Sequence, residues 1–212
     1  MVLRYSAKIL NENIGPGASD FVAAEIPNAS QFSRESEHWV TNFFLNCTFR
    51  GAFAPPMHAY AYNFLRRAQN AFIEHRLARE HTLAFIGPDG KDIRRYVAAL
   101  YHWESFLGQA WHAYALLAKT WDSNVFDKND GSVQQRLNAL YNQMKHVESR
   151  IENGQILCNA TVPVWLEIQG IRSIDTHLTF EETAEVLEEL AKIADALADP
   201  TTAYDKLGDY SE

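Results

Sequence analysis

The amino-acid sequence predicts an all-α fold, a helical bundle of about five helices with a small β-hairpin before the last helix. Between residues 93 and 117, apolar side chains recur at alternating steps of three and four, which places them on one face of a long helix. The same spacing recurs between residues 133 and 151. Thr179 and Glu182 have the Thr-x-x-Glu spacing of a capping box and mark the start of the last helix.

Three helices are predicted in the first half of the sequence. Ser33 is the expected cap of the first, which ends near Cys47. The second spans about residues 57–81. Asp92 is the expected cap of the third, which is the longest and is predicted to be central. Its apolar face consists of Ile93, Tyr96, Leu100, Trp103, Leu107, Ala110, Tyr114 and Leu117.

The fourth predicted helix begins at Ser132 or Asp130 and runs to Ile151. Its apolar face consists of Val133, Leu137, Leu140, Met144, Val147 and Ile151. Over about residues 161–176, β-branched residues replace the helical period and predict the hairpin. The last helix is predicted to end at Asp199, before a proline.

Both ends of the sequence are predicted to lie outside the bundle. Residues 1–30 are expected to form an N-terminal arm or short strand, over about residues 2–10, followed by a loop. Residues 200–212 are expected to form a frayed acidic tail, because they are mostly polar. No internal repeat or linker divides the sequence, so residues 1–212 are predicted to form a single domain.

Composition and charge exclude several classes of protein. Hydrophobic residues make up 47% of the sequence, which is too much for a disordered chain. The formal charge of −8 argues against a free-standing, non-specific nucleic-acid coat, while a local basic groove is compatible with it. Cys47 and Cys158 lie outside any CxxC or Cys/His cluster and are predicted to be reduced, packed thiols. Because no signal-peptide pattern and no run of about 20 apolar residues occurs, we expect a cytoplasmic protein without a membrane span.

Common catalytic and cofactor motifs are absent from the sequence. It contains no HExxH, no Cys/His quartet and no Glu-x-x-His on two helices, so no metal site is predicted. It also lacks the GxSxG of a nucleophile elbow, and its GPDGK segment is too short for a phosphate-binding P-loop. No cofactor is therefore predicted.

A polar strip on the fourth predicted helix is the best chemical lead. Asn142, His146 and Arg150 are spaced at i, i+4 and i+8 and share one helix face, with Lys145 beside them. A solvated face is one interpretation of this strip. The exposed face of a bundle helix is usually rich in Glu and Lys, however, whereas Asn, His and Arg suit hydrogen bonding to a ligand or across an interface. We therefore predict these four residues as the candidate catalytic site.

Arg–His pairs offer a second lead. An arginine can stabilise the charge that develops on a phosphate, and a histidine can exchange a proton with a ribose hydroxyl or a leaving oxygen. Arg95 and His102 form such a pair on the central helix, on the side opposite its apolar face. Arg76 and His81 form another, which a charged helix end also explains.

The segment LYNQMKHVESRIENG, residues 140–154, followed by a turn and another helix, resembles the HEPN superfamily. The resemblance covers about residues 57–155. Members of that superfamily are small α-helical bundles with a signature of Arg, four to six residues and His, in which a polar residue follows the Arg. Asn142, Lys145 and His146 match parts of this signature. No Arg precedes His146 at that spacing, which is found instead in the Arg95–His102 pair.

The resemblance implies a homodimer that binds RNA or cleaves it without a metal ion, in a toxin or phage-defence setting. In such a dimer the predicted strip would meet its own copy across a twofold axis. The alternative is a non-catalytic module that binds a protein partner. Five tryptophans favour this alternative, because aromatic side chains are enriched in interfaces, although packing in the core also accounts for most of them. They are Trp39, Trp103, Trp111, Trp121 and Trp165.

Overall fold

The mostly α-helical fold is confirmed by a computed structural model that describes residues 6–29, 36–87, 92–156 and 162–208. These ranges contain eight helices and one three-stranded antiparallel sheet. The helices are α1 (Ala7–Asn13), α2 (Trp39–Phe49), α3 (Met57–Ile86), α4 (Ile93–Thr120), α5 (Val133–Lys145), α6 (Val147–Glu152), α7 (Phe180–Leu197) and α8 (Ala203–Gly208). The strands are β1 (Trp165–Glu167), β2 (Gly170–Arg172) and β3 (His177–Thr179), in that order across the sheet. No helix of the described ranges is long and apolar enough to cross a membrane.

The long helices α3 and α4 form an antiparallel pair at the centre of the bundle. α5 packs on α4, and α7 packs on both helices of the pair. The predicted apolar face of α4 is buried from Tyr96 to Leu117, which confirms its central position. Small buried side chains on both helices permit the two backbones to approach closely. They are Ala61, Ala68, Ala71, Ala78, Ala99, Ala110 and Ala113.

Hydrogen bonds between buried side chains connect α3 with α4 and with α7. The indole N–H of Trp103 donates to the hydroxyl oxygen of Thr82 at 3.0 Å. Nε2 of His75 lies 3.2 Å from the hydroxyl oxygen of Thr183. Burial, followed by the charge of Arg79, lowers the pKa of His75 to about 4, so its imidazole is neutral at neutral pH.

The capping box predicted at the start of α7 is confirmed. The Thr179 hydroxyl accepts the backbone N–H of Glu182 at 3.1 Å, and the Glu182 carboxylate accepts the backbone N–H of Thr179 at 2.9 Å. Arg136 of α5 donates to the same carboxylate, with Nη1 at 2.9 Å from Oε2. Glu182 therefore caps α7 and also connects it to α5.

The predicted N-terminal strand is wrong for residues 7–10, which belong to α1. The hydroxyl of Ser6 accepts the backbone N–H of Ile9 at 3.4 Å, so a side-chain cap starts a helix there. Leu10 is buried against the core, which a single apolar residue in the sequence does not reveal. Residues 1–5 lie outside the described residues.

Two predicted helices have different bounds in the structure. α2 begins at Trp39, while Ser33, the expected cap, lies outside the described residues. α3 continues to Ile86, beyond the predicted end near residue 81. Phe85 is buried, so packing holds the last turn of α3 in place.

The fourth predicted helix is broken at His146 rather than continuous to Ile151. His146 has φ −115° and ψ 32°, which lies outside the helical region, and α6 begins after it. Leu140, before the break, is fully buried, whereas Ile151 is 62% exposed. The apolar face thus extends past the surface on which it packs, and tertiary contacts no longer favour a straight helix.

The predicted frayed tail, residues 200–212, is wrong for the segment that forms α8. Ala203 is fully buried, and the ring centroid of Tyr204 lies 6.1 Å from that of Phe53. These contacts join segments that are far apart in sequence, so the local composition does not reveal them. Residues 209–212 lie outside the described residues.

The predicted hairpin is confirmed as β1 and β2, and β3 adds a third strand beyond it. β2 approaches β3 so closely at Gly170 that a side chain cannot be accommodated. A Cβ atom there would lie 2.0 Å from the carbonyl oxygen of Leu178 and 2.7 Å from Cα of Thr179. Both are backbone atoms, so the strands must separate if this glycine is replaced.

We expect Gly170→Ala to lower the free energy of unfolding by about 3 kcal/mol or more, because the new methyl group forces β2 and β3 apart. Chemical denaturation followed by circular dichroism measures this change. The matched control is Gly108→Ala within α4, where a Cβ atom would meet the Tyr141 ring at an ordinary 3.8 Å. That control should be neutral or stabilising by up to about 1 kcal/mol. Equal effects of the two substitutions would contradict the close approach.

Candidate functional site

The residues of the predicted polar strip lie on two helices, because the predicted helix is broken at His146. Asn142 lies on α5, where its side-chain amide donates to Asn138 Oδ1 at 3.0 Å. His146 lies at the break and is exposed. Arg150 lies on α6 and donates to Gln155 Oε1 at 3.0 Å. In the described part of the chain, no side-chain hydrogen bond joins these three predicted residues to one another.

Arg95 and His102 both face α3, but they contact different partners. The guanidinium of Arg95 donates to the carbonyl oxygen of Ala84 at 2.8 Å. Nδ1 of His102 lies 2.7 Å from a carboxylate oxygen of Glu74, and its ring stacks on that of His81 with the centroids 5.2 Å apart. Within the described ranges, no three His, Cys, Asp or Glu side chains are arranged to hold a metal ion. Arg95 and His102 thus act as separate links between α3 and α4.

A second polar group lies where α3, α4 and α5 meet, and we call it the junction cluster. Its members are Arg67 of α3, Gln109 and His112 of α4, and Tyr141 and Lys145 of α5. Arg67 Nη1 donates to Gln109 Oε1 at 2.9 Å. The Tyr141 hydroxyl oxygen lies 3.2 Å from His112 Nε2. Lys145 Nζ lies 6.0 Å from the centroid of the Tyr141 ring. Of the residues predicted for the site, Lys145 is the one that this cluster includes.

Helix geometry positions the junction cluster. Gln109 and His112 are one turn apart on α4, and Tyr141 and Lys145 are one turn apart on α5, so each pair projects from one side of its helix. Arg67 reaches across from α3. All of these side chains except Lys145 are half-buried, and Lys145 is exposed. The cluster therefore lies at the surface on a base of three packed helices.

Electrostatics at the junction cluster favour the binding of an anion. Burial, followed by the charges of Arg67 and Lys145, lowers the pKa of His112, so the imidazole is neutral at neutral pH. Burial and the neighbouring Arg66 lower the pKa of Arg67. In the described part of the chain, neither Arg67 nor Lys145 forms an ion pair with a carboxylate. Neither charge is therefore paired directly with a carboxylate of the described residues, although the whole protein carries a formal charge of −8.

The cluster combines the groups that acid–base chemistry on a phosphate ester requires. A neutral imidazole can accept a proton, while a guanidinium and an ammonium group can stabilise negative charge on oxygen. The Tyr141 hydroxyl holds the His112 ring by a hydrogen bond, which fixes its orientation. Hydrogen bonds between packed helices hold Arg67, His112 and Tyr141, so their arrangement is set before a ligand arrives, whereas Lys145 is exposed at the end of α5.

Comparison of the chain with protein-family models, with curated proteins and with solved structures finds no match. The geometry of the site is therefore the basis for a functional proposal.

Sequence analysis did not identify Arg67, Gln109, His112 and Tyr141 as one group. The spacing of Tyr141 and Lys145 at i and i+4 was a visible signal, as was the pair Gln109 and His112. The sequence does not reveal the register of α3 against α4, because that register depends on contacts between residues far apart in sequence. Without that register, Arg67 cannot be assigned to the same site.

We expect Lys145→Gln to raise the pKa of His112, because the substitution removes one of the two cations that disfavour its protonated form. An NMR titration of the histidine ring signals measures this pKa. Lys119→Gln, which removes an exposed cation at the end of α4, is the matched control and should leave the His112 pKa unchanged. An unchanged or lowered His112 pKa in Lys145→Gln would contradict the electrostatic account of the cluster.

Proposed function

We propose that the protein binds RNA at the junction cluster and cleaves it without a metal ion. One observation carries the proposal: the half-buried, neutral His112 has two cations beside it, and no carboxylate of the described residues forms an ion pair with either of them. A phosphodiester supplies the missing negative charge, and the ribose hydroxyl next to it supplies the proton that a neutral imidazole can accept.

In the proposed reaction, His112 takes the proton of the ribose 2′-hydroxyl, and the 2′ oxygen attacks the adjacent phosphorus. The bond from phosphorus to the 5′ oxygen breaks, and Lys145 gives that oxygen a proton. The products are a 2′,3′-cyclic phosphate and a 5′-hydroxyl end. Arg67 stabilises the charge on the non-bridging oxygens, which is larger in the transition state than in the substrate.

The HEPN resemblance supports the same class of activity, because many members of that superfamily are metal-free ribonucleases. On that ground we propose a cytoplasmic toxin or phage-defence protein. The predicted strip is the competing site, because Asn142, Lys145 and His146 match parts of the HEPN signature. The two candidate sites are therefore compared in the same experiment.

We expect purified protein to degrade single-stranded RNA in the presence of EDTA and to leave 2′,3′-cyclic phosphate ends. His112→Ala should reduce the rate by roughly 100-fold or more, as expected for loss of a general base. His38→Ala, at an exposed histidine that makes no capping hydrogen bond at the start of α2, is the matched control and should retain full activity. Denaturing gels and analysis of the RNA ends measure rate and product.

Two outcomes would contradict this assignment. RNA that stays intact with the wild-type protein would exclude cleavage, and a gel-shift assay would then test RNA binding alone. Cleavage that is abolished by His146→Ala but not by His112→Ala would assign the activity to the predicted strip instead of the junction cluster.

We also propose that the protein is a homodimer, because one face of α2 exposes large apolar side chains. Phe44 and Leu45 are each 50% exposed, and Phe49 is 78% exposed. Adjacent exposed apolar residues on one helix are unusual in a monomer and are typical of an interface. The same surface supports the alternative that the protein is a non-catalytic binding module. A twofold axis would bring this face of α2 against its own copy.

We expect sedimentation of the wild-type protein to show a dimer, and Phe49→Glu to shift it to a monomer by placing a charge in the contact. The control is Ile174→Glu, which changes a 44% exposed residue between β2 and β3 and should leave the dimer intact. A monomeric wild type would contradict the homodimer, and an unchanged Phe49→Glu would contradict its location on α2.

A further inference from the structure

A surface groove lies between the N-terminal segment and the β1–β2 turn. It consists of three adjoining cavities of about 420, 640 and 460 Å³. The first two share Ile168 and Gln169 in the turn, and the last two share Glu25 and Glu181, so the cavities form one continuous depression. We call it the N-terminal groove. It does not include any residue of the junction cluster.

The backbone along one wall of this groove has free hydrogen-bonding groups. Residues 21–28 run without a helix, strand, turn or bend, so the chain is straight there. In the described part of the chain, the N–H groups of residues 22–26 donate to no backbone or side-chain acceptor. Of their carbonyl oxygens, that of Ile26 accepts a hydrogen bond, from Arg79 Nε at 2.9 Å. A straight segment with open donors and acceptors can pair with another extended chain, as the edge of a sheet does.

The negative charge of the groove determines which charge a bound peptide must carry. Four carboxylates line it, against one guanidinium, that of Arg79, and one of the four, that of Glu167, also lies 3.5 Å from Arg172. The carboxylates are those of Asp20, Glu25, Glu167 and Glu181. Glu25 and Glu181 are exposed and form no ion pair with another described residue. A basic ligand therefore complements this wall, and an acidic one is repelled.

Exposed apolar side chains lie in the groove and next to it. Ile168, in the β1–β2 turn, lines the groove and is 52% exposed. Val22, in the straight segment next to the lining residue Ala23, is 61% exposed. Successive side chains of an extended peptide point to opposite sides. A peptide that alternates basic and apolar residues can therefore direct one set toward the carboxylates and the other toward these two residues.

We propose that the N-terminal groove binds an extended, basic segment of a partner protein, which pairs with the backbone of residues 22–26. Those residues span about 16 Å as extended chain, so about five partner residues pair with them. The backbone hydrogen bonds provide affinity for any extended chain, and the carboxylates provide the preference for lysine and arginine. This inference is independent of RNA cleavage at the junction cluster.

The test uses the full-length protein and a fluorescein-labelled peptide of alternating lysine and valine, KVKVKVK. Fluorescence anisotropy should show binding of this peptide and no binding of EVEVEVE. The double variant Asp20→Lys with Glu25→Lys should weaken binding by roughly tenfold or more. The matched control, Glu148→Lys with Glu152→Lys on α6, changes the net charge equally and should leave binding within about twofold.

Hydrogen exchange of the wild-type protein tests the strand pairing directly and does not require a variant that folds. Alternate amides of residues 22–26, those whose N–H groups point toward the peptide, should exchange more slowly when KVKVKVK is present. An analogue with N-methylated valines, which cannot donate these backbone hydrogen bonds, should bind more weakly than the parent peptide.

Three results would overturn the proposal. Equal loss of binding in the groove variant and the α6 variant would show a general charge effect. Binding of KVKVKVK without protection of residues 22–26 would exclude strand pairing. Protection that grows with protein concentration in the absence of peptide would assign the groove to a second copy of this chain.

Discussion

The hydrogen bond from Trp103 to Thr82 fixes the register of α3 against α4, and the rest of the structure depends on that register. The Thr82 hydroxyl donates to a carbonyl of its own helix and accepts the indole N–H, so both polar groups are satisfied inside the core. A slip of one turn would leave the indole N–H of Trp103 buried without an acceptor, at about 1–3 kcal/mol, while Thr82 would keep its bond within α3. The same register aligns Glu74 with His102 and, one heptad or about 10 Å further along, Arg67 with Gln109. The junction cluster is thus a consequence of core packing.

The size of a pKa shift does not by itself identify a site in this protein. Burial lowers the pKa of His75 to about 4, but its ring is enclosed by Trp103 and Phe106 and bonded to Thr183, so it serves the core. Burial raises the pKa of Glu104 to about 7, and no charged group of the described residues contributes to that shift. His112 is less buried than His75, yet a ligand can reach it and two cations act on it. The accessibility of the imidazole to a ligand and the charges of its neighbours therefore distinguish His112 as a candidate site residue from His75.

Sequence periodicity predicted the helices whose buried side chains recur at regular spacing. It failed where contacts between residues far apart in sequence determine the local structure. The apolar face of α4 and the capping box at Thr179 are local patterns, and both are confirmed. The break at His146 could not be predicted, because the apolar pattern continues to Ile151 although the packing surface does not. α8 was missed for the converse reason: a polar segment becomes ordered because Tyr204 contacts Phe53. The junction cluster forms because of the register of α3 against α4. The spacing of residues within one helix carries no information about that register, so the cluster could not be predicted.

The acidic charge of the chain is compatible with an anionic ligand, because the charges are segregated on its surface. Electrostatic interactions between exposed groups are screened over about 8–10 Å at physiological salt. A phosphate at the junction cluster therefore responds mainly to Arg67 and Lys145, and only weakly to the carboxylates of the N-terminal groove. Those carboxylates repel nucleic acid from their own surface and leave it open to a basic protein segment. A net charge of −8 is therefore the sum over surfaces whose local charges differ in sign.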